Sequence, residues 1–202
     1  APFYTGLYED LIVVMPDVGN SWYINWADNQ DGQKNDWEDH VIEDVVSHVD
    51  WSFRTVARRE GRAITGLSMG GYGAITLGLR HPDMFISIGS TSGALEFGRQ
   101  AAARIRGEMP PRTPRARTPE QEARRRQPNP LIGIDGFSSQ IERTPLGTMF
   151  TTAEQADAYD PFKLIAKVSR NELPHIYLDC GTEDRLIEGA KMLAMFMMDE
   201  GI

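Results

Sequence analysis

A single cysteine, Cys180, stands in the 202 residues, so no internal disulfide can form and cysteine usage leaves the redox compartment open. It follows the stretch "HIYLD" and reads as a buried small apolar residue, not a nucleophile. No apolar run reaches the ~18 residues of a helical membrane span, so no membrane partner is expected. No signal-peptide pattern opens the chain, and a cytoplasmic compartment is expected ahead of a secreted one. No internal repeat is visible. Aromatic residues are missing from the most basic stretch, Arg99 to Arg126, which holds nine Arg and three Glu. That local charge of +6 sits in a chain of net −8, leaving −14 elsewhere. Without aromatics to stack on bases, and with Pro110, Pro111, Pro114 and Pro119 breaking the stretch, nucleic acid is not an expected partner. The stretch reads as a solvated, partly mobile insertion. Its attraction to the acidic remainder allows a homo-oligomer.

What is present is an alternation of short apolar runs and helical patterns. "LIVVMP" (11–16) predicts a strand buried on both faces. Asp36, with Asp39 three residues on, predicts the cap of an amphipathic helix. Its apolar face is Trp37, Val41, Ile42, Val45, Val46, Val49 and Phe53. "RAITGL" (62–67) predicts a strand, "MGGYGAITLGLRH" (69–81) a helix closed by Pro82, and "FISIGS" (85–90) another strand. Residues 95–158 are a long Pro- and Arg-rich interruption of weak periodicity. Asp160 and Pro161 predict the cap and first position of a helix over 160–169. "HIYLDCG" (175–181) predicts a fourth strand, and 186–201 a helix whose Met-rich face packs inward. This order is that of an α/β fold with a mostly parallel sheet and helices on both faces. Chemistry in such sheets gathers at the carboxyl ends of the strands. Asp17, Ser68 and "GTED" (181–184) all fall there, and Asp17 is expected to organise its loop through backbone hydrogen bonds.

Ser68 lies in Gly66-Leu67-Ser68-Met69-Gly70, the pattern of a nucleophile elbow between a strand and a helix. A strand that turns sharply into a helix brings backbone close at positions 66 and 70, where only small residues fit. The serine hydroxyl is thereby pushed into the open beside the helix's free N–H groups. The N–H of Met69 is placed to form half of an oxyanion hole. Trp22 and Tyr23, in the loop after Asp17, are candidates for an aromatic wall around the acyl or alcohol group.

"GLSMGGYGAITLGLRHPDMF", "VVMPDVGNSWY", "GSTSGAL" and "LDCGTEDRL" resemble the α/β-hydrolase esterases of the esterase D group. That group includes S-formylglutathione hydrolases, bacterial tributyrin-type, feruloyl and acetyl esterases, and mycolyltransferases. The resemblance covers most of the chain outside 95–158. It implies hydrolysis of small-molecule carboxylic esters through a serine acyl-enzyme, with no metal or organic cofactor. Short-chain or aromatic acyl esters are the expected substrates, with Ser68 as nucleophile. Asp184 matches the position of the family's acid, with Glu183 the competing carboxylate and Asp179, inside a strand, a poorer one. An acyltransferase of the same fold is the close alternative.

The triad order of this architecture is Ser, then Asp or Glu, then His, yet none of the four histidines follows Asp184. His175 begins its strand, about 15–20 Å from the edge carrying Asp184. His81 ends the helix that starts at Ser68, again about 18–20 Å away. A general base needs about 3 Å. His81 reads as a helix terminator, His48 as structural, and His40 as a surface residue spaced to pair with Asp44. The expected base therefore lies beyond residue 202, and the family's His-Gly oxyanion loop lies before the first visible strand. Residues 1–202 are read as one partial α/β-hydrolase domain, cropped at both ends, with 95–158 as a lid-like insertion. By itself it is expected to turn over esters negligibly. A non-catalytic binding domain of this fold is the competing class.

Overall fold

The computed structural model describes residues 11–29, 34–110 and 147–202. In chain order the elements are β1 (Asp28–Asn29), α1 (Trp37–Asp39), a π-helical stretch His40–Val45, α2 (Val46–Ser52) and a 3-10 turn Arg59–Gly61. There follow β2 (Ala63–Leu67), α3 (Met69–Arg80), β3 (Ser87–Thr91), α4 (Phe97–Ile105) and β4 (Gly147–Thr148). Last come α5 (Ala153–Asp157), α6 (Pro161–Ile165), β5 (His175–Asp179) and α7 (Ile187–Asp199).

The central sheet has the order β2-β3-β5, all parallel. Registers run Ala63–Ser87–His175 at one end and Leu67–Thr91–Asp179 at the other. Parallel neighbours need crossovers of a dozen or more residues, and α3, with 12 residues, supplies the first. It is apolar along nearly its whole length because it is enclosed: Tyr72, Ile75 and Leu77 are fully buried. Each such side chain contributes about 1.5–3 kcal/mol by leaving water. Ile88 of β3, Phe162 and Ile165 of α6, and Leu193 of α7 complete that core. A second cluster joins Ile24, Trp26, Tyr72 and Tyr159. Layered helices on a parallel sheet agree with the expected α/β architecture.

Several local expectations need correction. Leu11–Pro16 is not a strand: no strand pairs with it among the described residues, and Met15 is 87% exposed. Apolar composition asks for cover, but a strand exists only through ladder bonds to a neighbour. The helical run from Trp37 buries only its first half, through Val41 and Ile42; Trp51 and Phe53 are exposed. Asp36 makes no side-chain cap. Asn25 Oδ1 does that work from a distance, accepting the N–H groups of Glu38 (2.9 Å) and Asp39 (3.2 Å). On α7 the inward residues are Gly189, Ala190 and Leu193, while Met192, Met195 and Met198 are exposed. Asp160 does cap α6, accepting Phe162 N–H at 3.1 Å with Pro161 at the first position.

The interruption at 95–158 is more regular at its ends than its composition suggested. Its middle, 111–146, lies outside the described residues. α4 and α5 meet through Ala102, Ala153 and Ala156. Thr152 and Gln155 form a capping box at the start of α5. β1 pairs antiparallel with β4. Part of the basic stretch is internally paired: Arg106 meets Asp157, and the Arg99 guanidinium lies 3.7 Å over the Phe162 ring. No helix among the described residues is long and apolar enough to cross a membrane.

The chain emerging from this interruption is tied to the end of α3 by Glu38, which is 2% exposed. Arg80 Nε donates to it at 2.8 Å, Tyr159 hydroxyl donates at 2.5 Å, and His81 Nε2 meets it at 2.6 Å. His81 is thus a partner in a buried network and not merely a helix terminator. Burial pulls the Glu38 carboxyl up, but the bonds from His81, Arg80 and Tyr159 outweigh it and hold it at about 2, below an ordinary 4.5. The stability this supplies is complete above about pH 4.5 and is lost as pH falls through about 2. Glu38→Gln is expected to lower unfolding free energy by about 3 kcal/mol at pH 7 in urea titration. It should also flatten the stability profile across the acid range; an unchanged profile would contradict the assignment.

Candidate active site

β2 ends at Leu67 and α3 starts at Met69, leaving Ser68 alone to make the turn. Its backbone sits at φ 56, ψ −112, a left-handed conformation for an L-residue. Three backbone bonds hold it there. Ser68 N–H donates to Thr91 O at 3.0 Å, and its carbonyl accepts Tyr72 N–H at 3.1 Å and Ala94 N–H at 3.2 Å. The side chain makes no capping bond to α3 and is exposed. The hydroxyl is therefore free at the carboxyl end of the sheet, where the first turn of α3 presents its N–H groups. A Cβ on Gly66 would collide with the Gly70 backbone, so glycine is required there. Gly70 is different: a Cβ there meets only the Tyr23 hydroxyl, at an ordinary 3.5 Å.

Asp184 stands on the same edge, in the turn after β5 closed by its N–H to Gly181 O at 3.0 Å. Its Oδ1 accepts Leu186 N–H at 2.9 Å. That backbone bond, then a hydrogen bond from the Ser92 hydroxyl, holds its carboxyl below the usual range. Glu183 beside it is exposed. Asp179 lies within β5, where its carboxylate accepts the Tyr177 hydroxyl at 3.4 Å. Ser92, at φ 46 with its N–H on Asp179 O at 2.8 Å, ends the central strand at this edge, a placement that "GSTSG" does not signal.

Trp22 and Tyr23 are consecutive residues of positive φ, at 61° and 60°. Asp17 organises the loop before them, accepting Gly19 N–H at 3.0 Å, and Ser21 Oγ accepts Tyr23 N–H at 3.1 Å. Trp22 stacks on Phe97 with centroids 3.6 Å apart and meets the Tyr72 ring edge-on. Tyr23 lies across Gly73 of α3, where a Cβ would strike its ring. Burial, then the charge of Asp17, raises its phenol. Trp22 thus braces α4, while Tyr23 brings its hydroxyl near the elbow.

None of the four histidines joins this edge. His40 Nδ1 pairs with Asp44 at 3.2 Å, and His81 is taken up by Glu38. His175 begins β5, opposite Ser87, at the far end of the sheet. His48 is exposed on α2, not structural: no residue of that helix is buried. Cys180 is half-buried, with its thiol 3.5 Å from Ser92 Oγ. Among the described residues no group of His, Cys, Asp and Glu could hold a metal ion. A concavity lined by Leu79, Arg80, Pro82, Leu164 and Lys167 lies at the opposite end of α3, a helix of 12 residues, and so plays no part at Ser68.

A serine on a strained strand-to-helix corner, at the carboxyl edge of a parallel sheet, defines an α/β-hydrolase. The Esterase family model matches residues 3–198, and the chain belongs to that family. Esterase Rv1288 of Mycobacterium tuberculosis (strain H37Rv) is 38% identical over 92 residues, 45% of this chain and 20% of the relative. An acetyl esterase of Caldicellulosiruptor saccharolyticus is 26% identical over 96% of this chain and 62% of its own length. The diacylglycerol acyltransferase/mycolyltransferase Ag85A of Mycobacterium leprae is 36% identical over 42% of this chain and 26% of its own. In structure, the fluorophosphonate-binding serine hydrolase FphF of Staphylococcus aureus superposes with TM-score 0.57 at 22% identity, covering 92% of this chain and 58% of that one. The chain thus spans between a fifth and about three fifths of these relatives.

The contrast between the two elbow glycines is testable. Gly66→Ala is expected to cost about 1–3 kcal/mol through overpacking. Gly70→Ala is expected to be neutral or to stabilise by up to ~1 kcal/mol, because alanine favours a helix. Thermal melts of both variants check this, and equal losses would contradict the geometry.

Proposed function

We propose that this chain carries the nucleophile and acid of a serine carboxylic ester hydrolase. The observation that supports it best is the exposed Ser68 at its strained corner, with Asp184 anchored on the same sheet edge. Ser68 Oγ attacks the ester carbonyl and gives its proton to an imidazole. The Met69 N–H stabilises the oxyanion of the tetrahedral intermediate. The alcohol leaves with that proton, and water then releases the acid from acyl-Ser68. Asp184 orients the imidazole and stabilises its positive form. Because all four histidines lie elsewhere, that imidazole comes from sequence outside residues 1–202. No metal or organic cofactor enters these steps.

The substrate class is a small-molecule ester with a short-chain or aromatic acyl group. Tyr23, with its hydroxyl beside Gly70, and the adjacent Trp22, stacked on Phe97, form the aromatic wall for the acyl or alcohol group. Residues 1–202 are read as one α/β-hydrolase domain with an insertion at 95–158, whose described ends, α4 and α5, pack through Ala102, Ala153 and Ala156. The match to Ag85A favours one second reading, in which an alcohol in place of water takes the acyl group.

The full-length gene product should hydrolyse p-nitrophenyl acetate with a burst of acyl-enzyme. Ser68→Ala should lower kcat by at least about 10³-fold, and Asp184→Asn by about 10³–10⁴-fold. Added alcohol acceptors would raise the rate if transfer is the reaction. A Ser68→Ala variant with full turnover would overturn the proposal.

A further inference from the structure

Tyr23 lies along α3 with its ring at Gly73 and its hydroxyl three residues nearer the elbow, at Gly70. A Cβ on Gly73 would stand 2.3 Å from the ring, whereas a Cβ on Gly70 would meet only the hydroxyl, at 3.5 Å. Gly70 is two residues past Ser68, about 3 Å along the helix axis. The side chain therefore points along α3 to the corner that carries the nucleophile. Its position is fixed from several sides. It packs against the main core, its backbone is held at φ 60, and its N–H donates to Ser21 Oγ at 3.1 Å. A backbone at such a φ persists only where the surroundings hold it. The hydroxyl plays no part in that hold: among the described residues Tyr23 Oη makes no hydrogen bond. A tyrosine taken out of water ordinarily finds a partner for that group. Burial, then the charge of Asp17, raises the phenol, so at neutral pH it is a protonated donor.

We propose that the Tyr23 hydroxyl is a specificity-determining donor: it selects esters that carry a second oxygen, an ether or a hydroxyl, near the scissile carbonyl over esters with plain alkyl in that place. This rests on the esterase reading of the site. A substrate that enters over the first turn of α3 takes the open space beside Gly70 and strips water from the phenol. An alkyl chain offers nothing in exchange and leaves a desolvated donor unmet; an ether or hydroxyl oxygen accepts from it. Sites built around a hydrogen-bonding group reject the analogue lacking its partner more sharply than apolar pockets reject an extra methylene. Because the ring is already seated on Gly73, the hydroxyl is aimed before substrate arrives, and little ordering cost falls on binding.

The test compares paired isosteres on the full-length gene product: p-nitrophenyl methoxyacetate with p-nitrophenyl butyrate for the acyl part, and methoxyethyl acetate with butyl acetate for the alcohol part. Each pair exchanges a methylene for an ether oxygen. The quantity read is the ratio of kcat/KM within a pair and its change on Tyr23→Phe, in which the intrinsic reactivity of the two esters cancels. Tyr23→Phe keeps the ring on Gly73 and should melt with the unsubstituted protein. The ratio is expected to fall about five- to thirtyfold in at least one pair; the pair in which it falls names the part of the ester that carries the oxygen. A ring with a merely structural role leaves both ratios unmoved. Ratios unchanged within about twofold in both pairs, in a protein that turns the esters over, overturn this role and leave the esterase reading standing. An unsubstituted protein that hydrolyses none of these esters overturns that reading and this role together.

Discussion

Two interstrand hydrogen bonds determine the geometry of the site. Ser68 N–H to Thr91 O and Ser92 N–H to Asp179 O continue the parallel ladder just past its last paired residues. They bring three strand ends to a common rim. At that rim two serines, residues 68 and 92, are held at positive φ, one on each side of the ladder's end. Strain of order 1–3 kcal/mol per residue is tolerated because the flanking backbone is already fixed by the sheet and by α3. An exposed hydroxyl and an anchored carboxylate on one edge follow from that arrangement.

The rim depends on a second layer of organisation. Glu38 joins the helical run at Trp37, the end of α3 and the segment around Tyr159, so the far end of α3 is clamped. The Arg80 guanidinium also lies 4.2 Å over the Tyr159 ring. With that end fixed and Tyr23 seated on Gly73, α3 cannot tilt away from β2 without breaking buried polar contacts. A charged residue with three hydrogen-bonding partners in the interior is costly to disturb, so the network adds rigidity where the elbow needs it.

The parts legible in the sequence were those set by local rules. Ser68 between Gly66 and Gly70, the Asp160–Pro161 start of α6 and the apolar strands around Ile64, Ile88 and Ile176 each announce themselves within a few residues. What escaped was set by distant partners. Asn25 caps a helix 13 residues away, and Glu38 is buried because Arg80 and Tyr159 reach it. Leu11–Pro16 has a strand's composition without a paired neighbour among the described residues, and Met192, Met195 and Met198 of α7 face outward because Ala190 and Leu193, with Met197 beside them, fill its inner face. The Thr152–Gln155 box has a local signature, but it opens a helix of only five residues, too short to show a helical period. At the site, Ser68 and Asp184 were visible as motif positions; the positive φ of Ser92 at the end of the central strand was not, because the bond to Asp179 O that holds it is long-range.

The central claim is that Ser68 is presented as the reactive hydroxyl at this corner. Treating the full-length protein with a fluorophosphonate and mapping the adduct by peptide mass spectrometry tests it most directly. The account predicts one phosphonyl group per chain, carried by the peptide containing Ser68. An adduct on a different serine, or a protein that hydrolyses esters while Ser68 stays unmodified, would contradict it.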